Sequence, residues 1–221
     1  MKRIIIIHYK HIAYSPLNPH AKPFVPKQPH TPAESDDAFY TRINTLRHQP
    51  SPPLEQLSKE ISRRLKTPPN TPEQKLKLQV VQAKILERLS RHQEAIAICN
   101  TIVTTKSSKN DVAIIQAKTW ILLGIIYGNL NNPNQRIKAY KSGLSLAVKL
   151  DVSYTKAQAL LGLGHARDGD NKVHYRNALE LGQKMQDPAI QAQALIGLGN
   201  ARDGDDKAHY QNALELGQKM Q

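Results

Sequence analysis

The sequence predicts an all-α fold: an α-solenoid of about four antiparallel helix pairs, preceded by a proline-rich, largely disordered N-terminal segment. Three observations predict it. Residues 157–186 and 192–221 are identical at 25 of 30 positions at an offset of 35, and self-similarity at a period of about 20–50 residues marks a repeat array. From Thr71 onward the apolar pattern is helical, and the later prolines, Pro133 and Pro188, fall where turns are expected. Hydrophobic residues make up 39% of the 221-residue chain and aromatics 5%. That is thin for one globular core but sufficient where each repeat packs only on its neighbours.

Taken in order, the chain begins with a basic segment, residues 1–70. From Ser15 to Pro32 prolines recur every few residues, in Pro16-Leu17-Asn18-Pro19 and Pro23-Phe24-Val25-Pro26. Proline fixes its own φ, donates no backbone hydrogen bond and pushes the preceding residue toward extended backbone. The segment is therefore expected to be mostly disordered, with two short helices inside it. Ser35 is the expected cap of the first, from Asp36 to about Arg47, with two acids facing the helix dipole. Ser51 is the expected cap of the second, with Pro52 at its first position and Leu54, Leu57, Ile61 and Leu65 on one face. Thr71-Pro72-Glu73-Gln74 is a capping box. It opens the repeat domain 71–221, which divides at about 71–110, 111–151, 152–187 and 188–221. In the last two units Asp168-Gly169-Asp170 and Asp203-Gly204-Asp205 separate two helices. The glycine suits the left-handed residue that closes the first helix, and the second aspartate suits the cap of the next. One stripe of the second helix carries Tyr175, Ala178, Leu179, Gly182 and Met185, repeated as Tyr210, Ala213, Leu214, Gly217 and Met220.

Charge divides the chain unevenly. Residues 1–70 hold 11 Lys/Arg against 5 Asp/Glu, residues 71–150 hold 12 against 4, and residues 151–221 hold 8 against 9. A basic region at 1–150 attracts nucleic acid, an anionic surface or an acidic protein, so nucleic-acid binding is the alternative function. No base-reading motif accompanies the charge, which favours a solvated basic surface. A lone cysteine, Cys99, excludes an internal disulfide and fits a reducing compartment. Ile4 to Ile7 is too short for a signal peptide, and no later run is read as long enough to span a membrane. A cytoplasmic protein with no membrane contact is the expectation; export as an effector would leave the same sequence.

The segment 117–150 resembles a tetratricopeptide repeat. It reads Trp120-x-x-Leu123-Gly124-x-x-Tyr127, a turn at Asn131-Asn132-Pro133, then Tyr140, Gly143 and Leu144. Arg136 departs from the family's alanine. Residues 76–106 match more weakly, with Leu86 at the Tyr position and Cys99 and Ile102 on the second helix. In the last two units Leu160 and Leu195 take the Trp position, Leu163-Gly164 and Leu198-Gly199 the Leu-Gly pair, and Arg167 and Arg202 replace the tyrosine. Gly124, Gly164 and Gly199 recur at one position, where a close helix approach is expected to offset the cost of a helical glycine.

No catalytic constellation, phosphate loop or cofactor motif emerges, and no cofactor or metal is expected. His8 and His11 lack a third ligand. His174 and His209 are one site in successive units and cannot converge on one ion. The Asp-Gly-Asp turns lack the loop length of a calcium hand. The expected activity is non-enzymatic binding of a partner protein or peptide. The resemblance implies that first helices line a concave groove. The positions it carries over are Lys77, Val80, Lys84 and Glu87; Lys118, Ile121, Ile125 and Gly128; Gln158, Leu161, His165 and Asp168; and Gln193, Ile196, Asn200 and Asp203. Val80, Ile121, Leu161 and Ile196 would form an apolar stripe. Family members that clamp a partner's terminal carboxylate use a Lys/Asn/Arg set that is absent here. Finally, nothing in the sequence follows Gln221 to cover the last pair. That pair is expected to fray or to mediate self-association.

Overall fold

A computed structural model describes residues 35–46, 52–66, 71–202 and 204–219 of the chain. Among the described residues every regular element is an α-helix: α1 (Asp36–Leu46), α2 (Leu54–Arg64), α3 (Pro72–Arg88), α4 (His92–Val103), α5 (Asn110–Asn129), α6 (Pro133–Lys149), α7 (Ser153–Ala166), α8 (Asn171–Lys184), α9 (Pro188–Asn200) and α10 (Asp206–Gln218). From α3 onward they form four antiparallel pairs in series, the expected α-solenoid.

Local chemistry places the boundaries. Thr71 accepts from the Gln74 amide, Asn132 from Gln135, and Asp187 from both Ala189 and Ile190, each with a proline in the first turn of its helix. Asp170 and Asp205 cap α8 and α10, as expected from the Asp-Gly-Asp turns. The helix ends differ from expectation. Arg167 (φ 55°), not Gly169, is the left-handed residue that closes α7. Its amide bonds the Gly164 carbonyl while the Asp168 amide bonds that of Leu163, the paired bonds of a Schellman turn. The same turn recurs at Ser90, Asn131, Asp151 and Gln186, so the ends of α3, α5, α6, α7 and α8 all use a left-handed residue with a side chain. Gly169 (φ 67°) and Gly204 (φ 104°) lie further into their turns.

α1 begins where the Ser35 cap predicts, with the Ala38 amide bonded to its hydroxyl. α2 starts at Leu54 with Pro53 at the cap position and no side-chain cap; Ser51 lies outside the described residues, as do His8, His11 and the proline-rich stretch. Both helices pack on α3. Phe39, Ile43, Leu57 and Ile61 form one buried cluster with Leu78, Val81 and Ile85, and Arg42 and Glu60 pair between them at 2.5 Å. The compact unit thus begins at Ser35, ahead of the expected boundary at Thr71. Two amphipathic helices that bury four large side chains behave as part of the array.

A tyrosine ring locks each of the later pairs to the next. A methyl group on Gly124 would lie 2.5 Å from the Tyr140 ring, and one on Gly162 of the next pair would overlap the same ring. Tyr175 sits in the same way between Gly164 of its own pair and Gly197 of the next. The recurrent glycines therefore admit a ring from the second helix, and the sequence reading missed the outer glycine of each sandwich.

α5 corrects another expectation. At 20 residues it is long and apolar enough, by length and composition, to cross a membrane. Its apolar side chains are nevertheless the packed centre of the array. Val112, Ile115, Ile121, Leu122, Leu123 and Ile126 are buried, because a first helix in mid-array has neighbours on nearly every side.

Candidate partner-binding face

The first helices touch one another in sequence, α3 to α5, α5 to α7 and α7 to α9, while the second helices make no comparable contacts among themselves. Close spacing on one side and splayed spacing on the other curves the array with first helices inside. The inner face is therefore built from α3, α5, α7 and α9.

The expected groove residues divide into three groups. Lys118, Ile125, His165, Gln193 and Asn200 are exposed on this layer, and Gln158 is half-buried beside them. Lys77, Val80, Lys84 and Glu87 on α3 are half-buried; Lys77 pairs with Glu73 at 2.6 Å, and Glu87 accepts from Asn129 at 2.8 Å. Ile121 and Leu161 are 6% and 4% exposed and leave the groove. Ile121 packs with Tyr140, Ala159 and Leu163, and Leu161 with Tyr175 and Ile190. Their position faces the neighbouring pair, so it is filled wherever a neighbour exists. Ile196, the same position in the last pair, is 44% exposed. The apolar stripe is thus junction packing. Asp203 lies outside the described residues.

Asp168 is held by Lys141 at 3.0 Å, and its carbonyl oxygen is bonded by the His174 ring. His174 thus supports this turn. Gly128 carries the Arg136 guanidinium, which lies 6.0 Å from the Tyr140 ring centre. Sequence reasoning noted Arg136 only as a departure; the structure places its charge over the inner face. Burial raises the Tyr140 pKa and Arg136 pulls it back. Burial, and secondarily the Arg136 charge, hold His165 below the ordinary imidazole value. Its ring meets Tyr175 edge-on at 5.5 Å.

Between the third and fourth pairs these elements enclose a cleft of about 520 Å³, lined by His165, Arg167, Asn171, Tyr175, Asn200 and Arg202. Left-handed backbone at Arg167 and at Arg202 (φ 53°) sets its rim and projects both side chains, and both residues are exposed. Two guanidiniums, a neutral imidazole and two amides offer hydrogen-bond donors suited to a carboxylate. A wider cleft of about 640 Å³ runs along α6 beside Trp120; it is framed by one helix face and that indole.

Elsewhere, Cys99 is fully buried and its thiol is pushed up to about 12 by desolvation, a core residue as expected. Among the described residues no three His, Cys, Asp or Glu side chains are grouped to hold a metal.

No family model and no curated protein matches the sequence. The fold is similar to that in the crystal structure of BtubC (BKLC) from P. vanneervenii, with a TM-score of 0.55 and 20% identity over 82% of this chain and 73% of that one. A likeness at that identity establishes the helical architecture and carries no binding activity with it.

Proposed function

We propose that the chain is a non-enzymatic interaction module of the tetratricopeptide type. It holds a peptide or helix of a partner protein along its inner face, with an acidic side chain of that peptide between Arg167 and Arg202. The observation that carries this reading is the cleft between the third and fourth pairs, where cationic and amide donors converge on one opening. A hydrogen bond to a charged group is worth about 1.5–3 kcal/mol, so each arginine contributes roughly tenfold or more in affinity.

Selection of a displayed random-peptide library on the full chain tests the proposal. Enrichment of acidic sequences is expected, with binding weakened by Arg167→Ala and Arg202→Ala separately. Enrichment indifferent to both substitutions, or none at all, sinks it. The nucleic-acid reading rests on charge alone and is tested with labelled single-stranded RNA. Retention at low salt that falls steeply as salt rises would put it in first place.

A further inference from the structure

Each later junction exchanges volume by the same rule. A second helix carries a bulky side chain and, seven residues on, a small one; the antiparallel helix that covers it offers a small and a bulky residue in the reverse places. On α8, Tyr175 meets Gly197 of α9, while Gly182 meets Ile190, whose methyl lies 2.9 Å from a Cβ built there. Across α6 and α7, Tyr140 meets Gly162. The corresponding second places hold Ala147 and Thr155, both fully buried. The covering helix therefore carries its bulky residue first and its glycine seven residues later, as in Ile190 and Gly197.

α10 carries that order itself, in Tyr210 and Gly217. Its face is open among the described residues. Tyr210 is 43% exposed against 4% for Tyr175, Leu214 is 63% exposed, and a methyl group on Gly217 would meet nothing within 4 Å. Ile196, Tyr210, Leu214 and Gly217 line a cleft of about 430 Å³. A second α10 laid antiparallel on this face presents Gly217 to Tyr210 and Tyr210 to Gly217, the sequence of small and large that α9 presents to α8. Such a contact is self-complementary about a twofold axis. Antiparallel placement also opposes the two helix dipoles. We infer that the chain forms a twofold dimer through α10, the Tyr210 ring of each copy seated over Gly217 of the other.

The surface lies outside the inner-face cleft, so its test is independent of the peptide-binding reading. Sedimentation velocity on the full chain is expected to show a concentration-dependent dimer. Gly217→Val fills the seat without touching the monomer and is expected to give a monomer of unchanged helicity; Leu214→Glu is the second variant. Register is read with a short bis-maleimide crosslinker, with Cys99 buried and silent. Leu214→Cys lies beside the axis and is expected to crosslink. Gln218→Cys is separated from its mate by about nine residues of rise, roughly 13 Å along the helices, and is expected not to. A monomeric parent, growth beyond dimers, a dimer that survives both Gly217→Val and Leu214→Glu, or crosslinking favoured at Gln218→Cys each overturns the inference.

Discussion

Gly197→Ala tests whether the tyrosine locks hold the array together. Glycine inside a helix costs about 1 kcal/mol relative to alanine, so on helix propensity alone the substitution stabilises by that amount. The added methyl, however, falls on three ring carbons of Tyr175. Gly164 also approaches this ring so closely that a methyl there would lie 2.6 Å from it, which leaves the ring little room to retreat. Overpacking of this kind costs about 1–3 kcal/mol. The expected net effect is a destabilisation of about 1 kcal/mol. Gly217→Ala is the control: its methyl enters open space, and it is expected to stabilise by about 0.5–1 kcal/mol. Both are measured by urea denaturation monitored by circular dichroism, on protein dilute enough to be monomeric, comparing midpoints at unchanged slope. Tyr175→Leu in the Gly197→Ala background should recover part of the loss, a coupling expected of side chains in contact. If Gly197→Ala raises the midpoint as Gly217→Ala does, the ring is not wedged and the lock is only apparent.

Other expectations follow from single residues. Ile61 is fully buried against α3, so Ile61→Ala should cost about 2–4 kcal/mol in the same assay; no change would return α2 to the status of a linker. Gln186 holds a left-handed backbone (φ 53°) that costs an L-residue about 1–2 kcal/mol. After the greater chain entropy of glycine is subtracted, Gln186→Gly should stabilise by about 0.5–1 kcal/mol and raise the melting temperature. The Cys99 thiol, pushed up to about 12, should resist a thiol reagent at mildly alkaline pH until urea is added; prompt reaction of the folded chain would show the site to be open. His165 is held below the ordinary imidazole value in the folded chain, so its share of stability is complete above the unfolded pKa and is lost as pH falls through the folded one. An NMR titration of its ring should show the depressed pKa and a partial rise in Arg136→Gln, since burial is the larger cause and remains.

The helices were readable because their punctuation is local. Thr71, Asn132, Asp187, Asp170 and Asp205 are short polar side chains that bond amides two or three residues on, and such bonds need no tertiary partner. The inclusion of α1 and α2 was hidden by the flanking prolines. Composition describes a segment, whereas burial of Phe39 and Ile61 depends on a surface that α3 supplies. Counting groove positions from Trp120 found Lys118, His165 and Asn200 on the inner layer. It misassigned Ile121 and Leu161, because one helical position faces solvent or a neighbour according to where the next pair sits. Arg167 and Arg202 were passed over as helix ends because a glycine stands two residues later, and a left-handed arginine has no signature in sequence. The second glycine of each lock was visible in Gly162-Leu163-Gly164 and Gly197-Leu198-Gly199, but the ring it admits belongs to the preceding unit.

The first junction follows the lock's geometry with its sizes exchanged. Cys99 stands where the later pairs have tyrosine, and Leu122 stands two residues before Gly124, where they have the outer glycine; both are buried in one cluster with Ala83 and Ala95. Setting α4 against α7 would oppose Cys99 to Gly162 and leave a void the size of a ring. Setting α6 against α5 in its place would drive Tyr140 into Leu122. The first junction thus accepts its own neighbour and rejects those of the later pairs by volume, so the place of the first pair is specified twice, once by the covalent chain and once by the shapes it folds into. A partly folded array of similar units risks pairing out of turn, and this asymmetry at its first junction makes one such error costly at the moment of contact.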